Sequence, residues 1–177
     1  MSNGDFISRR AFLSCATAIV AILSASGNGL AQADWSKWRG PKFGTTIEYP
    51  SDLFTMLPEP DAHDGRAFAA GDGAQISAFG ALTDAVDFES AIAMTQEGDD
   101  YAETTYRRRG RTWAVVSGYR SIEGRRSVFY ERYFLDPDKQ AYHVVVIAYP
   151  VEAKPTYDPL VGRIARSLDA SRYTAPD

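Results

Sequence analysis

The chain has 177 residues, with 19 Lys and Arg against 23 Asp and Glu and a net charge of −4 at pH 7. Mild acidity argues against nucleic acid as the main partner. A single cysteine excludes a disulfide framework, and two histidines offer little to a metal centre, which needs three or four converging ligands.

Residues 1–33 read differently from the rest. Ser8-Arg9-Arg10-Ala11-Phe12-Leu13-Ser14 precedes a short apolar run from Cys15 to Leu23, and Ala31-Gln32-Ala33 follows. A charged lead, a short apolar core and a small-residue site are the parts of a secretory signal. The run falls short of the roughly 20 residues that span a bilayer. The adjacent Arg9 and Arg10 match a twin-arginine export address; an ordinary secretory signal and an uncleaved anchor are the alternatives. Cleavage after Ala33 removes Cys15 and leaves Asp34–Asp177 as a single disulfide-free α+β domain, periplasmic or secreted, with no transmembrane segment.

No repeat or low-complexity tract follows. Trp35 to Lys42 is an aromatic and basic lead-in. Phe43–Tyr49 alternates, with Phe43, Thr45, Ile47 and Tyr49 on one face, and predicts a half-buried strand stopped by Pro50. Ser51–Gly65, rich in proline and acids, reads as a loop. Arg66–Ala70 and Gln75–Phe79 flank Gly71-Asp72-Gly73 and predict a hairpin. Asp87–Gly98 is a helix candidate, capped by Asp87 and stopped by Gly98.

Four strands are predicted next, over 102–107, 112–119, 127–135 and 141–149. Their short turn-forming links require antiparallel neighbours. Val144-Val145-Val146-Ile147 is apolar on both faces and marks a central, doubly covered strand. Asp158 at the N-cap and Pro159 at the first helical position predict a closing helix with Leu160, Val161, Ile164 and Leu168 on one stripe. The tail from Ser171 is expected to fray. The sum is an α+β fold: a mainly antiparallel sheet of six to seven strands with two helices packed on it, an α/β/α sandwich.

No catalytic constellation stands out. Asp61-Ala62-His63-Asp64 flanks an imidazole with carboxylates but lacks a distant partner, and His143 reads as a core or strand-edge residue. Ser117-Gly118 has no convincing base. Asp99-Asp100 and Asp136/Asp138 fall in expected turns, where acids solvate. Gly71-Asp72-Gly73 has no following helix to make a phosphate loop. No cofactor or metal is expected.

The unusual feature is Arg107-Arg108-Arg109-Gly110-Arg111 at an expected hairpin tip, with Arg120, Arg125, Arg126 and Arg132 in the next strands. Guanidinium forks suit carboxylates and phosphates. Gathered on one side with Tyr106, Tyr119, Tyr130 and Tyr133, they would form a docking patch for an acidic protein or an anionic envelope component. The plainer reading is a solvated tip neutralised by nearby acids.

The Phe43-Gly-Thr-Thr-Ile-Glu-Tyr-Pro50 strand, the glycine hairpin after Ala70, Trp113-Ala-Val-Val-Ser-Gly118 and Tyr157-Asp-Pro-Leu160 resemble small exported proteins of alphaproteobacteria. More distantly they resemble the PsbP-like α/β/α sandwich family. That resemblance implies a non-enzymatic accessory factor docking on larger proteins, and carries over no binding residue. The leading expectation is therefore an exported, non-catalytic interaction module of unknown partner. A binder of a small anionic ligand through the arginine face is the second, and an enzyme of unrecognised type the third.

Overall fold

The computed structural model describes residues 33–84, 86–94, 103–138 and 140–170. The candidate signal with Arg9 and Arg10, the Gly98 stop, Asp99-Asp100 and the tail from Ser171 lie outside these residues.

The strands in chain order are β1 (Trp35–Arg39), β2 (Thr45–Pro50), β3 (Thr55–Met56), β4 (Gly65–Ala69) and β5 (Gln75–Leu82). After α1 (Phe88–Met94) come β6 (Glu103–Arg109), β7 (Trp113–Ile122), β8 (Arg125–Leu135) and β9 (Ala141–Pro150). A single 3-10 turn leads into α2 (Lys154–Arg166), and β10 (Asp169–Ala170) is the last described element. Seven strands form one sheet in the order β3-β4-β5-β9-β8-β7-β6, and β1-β2-β10 form a second, smaller one. Every pairing is antiparallel.

The apolar run in β9 puts that strand in the middle, between β5 and β8. Its side chains alternate between two cores. Val145, Ile147 and Tyr149 meet Tyr157, Val161 and Ile164 of α2 and Ile47 of β2. Tyr142 and Val144 meet Phe88, Ala91 and Ile92 of α1. Both faces are thus covered, as a strand with no polar face requires, and the α/β/α layering follows.

Local chemistry sets the turns. Glu123 and Gly124 both take positive φ, 50° and 76°, as a two-residue mirror-image turn between paired strands demands. Gly73 does the same after β4, at φ 95°. At α1, Asp87 Oδ1 accepts from the Glu89 and Ser90 amides, both at 3.0 Å, so Asp87 is the cap the sequence predicts.

Three expectations need correction. Trp35–Arg39 is a strand rather than a lead-in, pairing Trp35 with Pro50 and Trp38 with Ile47, because the buried Trp38 supplies the inward side chain. Thr55 and Met56 form a short strand inside the predicted loop. The closing helix starts at Lys154, with Pro155 in the first turn and Pro159 inside. Pro155 fills a position whose N–H has no helical partner, whereas Pro159 forfeits one backbone bond. Asp158 is therefore not the cap: it accepts from the Tyr149 hydroxyl at 2.7 Å and pairs with Lys154 at 3.0 Å.

Candidate interaction surface

The two histidines do different things. His63 is exposed, has a positive φ of 52°, and faces Glu59 at 3.2 Å. His143 is fully buried: Nδ1 shares a 2.7 Å hydrogen bond with Thr45 Oγ1, and Nε2 faces Asp136 Oδ2 at 3.7 Å. Asp136, expected to solvate, is 1% exposed, because its position at the end of β8 turns it under the smaller sheet beside His143. Hydroxyl, imidazole and carboxylate stand in the order of a hydrolytic relay, but Thr45, His143 and Asp136 are all sealed from solvent. The group instead pins β2 of the small sheet to β9 of the large one. Among the described residues no three metal-binding side chains converge.

Burial pushes His143 below the ordinary imidazole range, against the opposing pull of Asp136 and Asp169. The folded protein thus refuses a proton that the unfolded chain accepts below pH ~6.5, so stability is full above that pH and falls as pH drops. One proton sets an upper limit of about 1.4 kcal/mol per pH unit on this slope. Denaturation midpoints between pH 7 and pH 5 (roughly the window of that unfolded imidazole) measure it. His143→Gln should flatten the slope; an unchanged slope would contradict the assignment.

The arginines divide between the faces. Arg107 and Arg109 pair with Val116 and Ala114, whose side chains belong to the core under α1. Arg108 pairs with Val115 and, by strand alternation, projects toward the α2 face. They do not form one patch. Arg109 is held by Glu89 of α1 through two bonds of 2.6 and 2.8 Å. Arg120 lies 3.7 Å from Glu131, Arg125 pairs with Glu152 at 2.7 Å, and Arg126 lies over the Tyr119 ring and 3.5 Å from Glu103. Arg107, Arg108 and Arg111 are exposed and make no ion pair among the described residues.

On the α2 face, bordered on the β6 side by Thr105, a groove of about 270 Å³ opens. Its walls include Ser117, Tyr119, Tyr130 and Tyr149 from the sheet and Asp158 and Val161 from α2. Burial raises the Tyr130 phenol above its ordinary range, while Arg132 and Arg166 pull it down and Tyr106 adds to the rise. The Tyr149 phenol is raised by burial and by donating to Asp158. Both phenols therefore stay protonated and act as hydrogen-bond donors. Tyr106, one strand out, is 48% exposed. A wider hollow of about 400 Å³ lies at the far end of the sheet under Pro58 and Pro60. Its Arg66 is held by Glu59 and the Leu57 carbonyl.

The chain shares the fold of Mog1p, a Ran-binding protein of Saccharomyces cerevisiae. The match has a TM-score of 0.55 and covers 79% of this chain and 97% of Mog1p at 10% identity. LpqN of Mycobacterium tuberculosis, described as involved in cell envelope biogenesis, aligns with a TM-score of 0.50 over 79% of this chain and 92% of its own at 15% identity. Cyanobacterial PsbP from Synechocystis aligns at 0.46 and 14% identity, covering 81% and 96%. No protein-family model matches the sequence, and no curated protein matches it.

Two functional features escape sequence reading. The groove needs the α2 position, which the Pro159 signal misplaces by a turn. Glu131, 2% exposed and bonded to the Tyr133 hydroxyl at 2.6 Å, explains why Arg120 is structural. Its only signal is a charge at an inward position of an alternating strand.

Proposed function

We propose that this chain is an exported, non-catalytic interaction module that holds a partner polypeptide on the β6 side of its sheet. One observation carries the reading: β6 is exposed at all seven positions and presents Tyr106 with Arg107 and Arg108, while Arg111 extends the charge beyond its end. Aromatic and arginine side chains are the enriched anchors of protein interfaces. Mog1p uses the same fold as a Ran-binding protein, which supports a binding role for this architecture. In this reading residues 1–33 are a twin-arginine signal cut after Ala33, and the working chain begins at Asp34 in the periplasm. No helix among the described residues is long and apolar enough to cross a membrane.

The groove beside Tyr130, in the field of Arg132 and Arg166, favours a second reading, a binder of a small anionic ligand. Native mass spectrometry of the protein taken gently from its own host separates the two. The expected species is a chain starting at Asp34 with the added mass of another polypeptide. Added mass of a small molecule alone would support the second reading, and a bare chain would count against both.

A further inference from the structure

Resting on that docking reading, we infer that the partner contributes an acidic, extended segment that adds as a strand to the free edge of β6. The large sheet ends at β6, which pairs with β7 on one side only. β6 is exposed at every position and no other described strand pairs with its outer side, so its backbone N–H and C=O groups stand ready for another strand. Seven residues make a ledge of about 24 Å. The opposite edge of the sheet is the two-residue β3, too short to template a partner.

The register shift between Thr104 and Tyr106 interrupts the ladder and leaves Tyr106–Arg109 as its longest unbroken stretch. Within that stretch the charges select the occupant. Arg109 is already neutralised by Glu89. Arg107 on the α1 face and Arg108 on the α2 face are not, and Arg111 lies just beyond. A strand laid alongside places successive side chains next to positive charge on both faces, so consecutive acids are favoured there. A second copy of this chain is disfavoured, since antiparallel pairing of two Tyr106–Arg109 stretches sets Arg107 against Arg108. Thr105 of β6 and, one strand further in, Ser117 and Tyr119 of β7 border the groove, which can receive one side chain of the incoming segment. Backbone bonds then supply affinity and the groove supplies selectivity, the usual division in strand addition.

The test titrates the purified protein with acetyl-Thr-Glu-Val-Glu-Glu-Val-Glu-Thr-amide at low ionic strength, reading peptide anisotropy and amide hydrogen exchange. Saturable binding with slowed exchange confined to β6 is expected. The same peptide N-methylated at alternate residues keeps its charge and loses one bonding edge; it should not bind. Arg107→Ser, Arg108→Ser and Arg111→Ser together should weaken the parent peptide about tenfold with an unchanged circular dichroism spectrum. Absence of β6 protection would overturn strand addition. Equal binding of the N-methylated peptide would overturn it too, by showing attraction through charge alone. Either failure leaves the docking reading intact; that reading falls if the native mass shows no partner, or a partner that the arginine variant retains equally.

Discussion

Phe68→Ala is expected to destabilise the fold by about 4 kcal/mol, the cost of emptying a large buried aromatic site. Phe68 on β4 is fully buried. It meets Tyr49 of β2 at 4.4 Å between ring centroids and Trp38 of β1 edge-on at 6.2 Å. One ring therefore ties the small sheet to the large one, and the aromatic pairs add to the area it removes from water. Against a typical stability of about 5–15 kcal/mol, the variant keeps little margin. Urea denaturation measures the loss as a lower midpoint with an unchanged slope. A loss under about 1 kcal/mol would mean that the two sheets are held by something else.

Gly118→Ala is expected to detach β6 rather than to hollow the core. A Cβ at this point of β7 would fall on the Glu103 carbonyl oxygen and crowd the Thr104 Cα. Neither is a flexible side-chain end, so one backbone must move. β7 is fixed between β6 and β8, whereas β6 pairs on one side alone among the described residues. The cheaper relaxation is release of the edge strand. Overpacking costs about 1–3 kcal/mol, which corresponds to exchange of the β6 amides faster by about five- to 150-fold through local opening. Amides of β8 and β9 should show only the smaller change that follows global stability. Unaltered exchange in β6 would show that the strand adapts without leaving. Docking that depends on β6 should weaken in the same variant.

Much of the architecture is legible because the controlling signals are local. A run of Val144 to Ile147 has no polar face to give to water, so a central position is its simplest solution. Gly73 and Glu123-Gly124 supply the positive φ that the hairpins need. What escapes is decided at long range. Trp35–Arg39 has only one deeply buried side chain, and its strand state comes from pairing with β2. The start of α2 turns on which of Pro155 and Pro159 opens the helix, and both obey the local rule.

The site is less legible than the fold for the same reason. Arginine spacing in β6 is visible in sequence, but alternation sends Arg107 and Arg109 to one face and Arg108 to the other, and Glu89 from α1 removes one of them from play. Asp136 and His143 lie seven residues apart across a turn. Their burial follows from a third residue, Thr45, brought over by the small sheet.

The most direct test of the central claim repeats the native mass measurement on two proteins from the host periplasm: the wild type, and the chain with Arg107→Ser, Arg108→Ser and Arg111→Ser. The docking account predicts a partner polypeptide on the wild type and its loss from the variant, with both chains starting at Asp34. A partner retained equally by both, or found on neither, would contradict it.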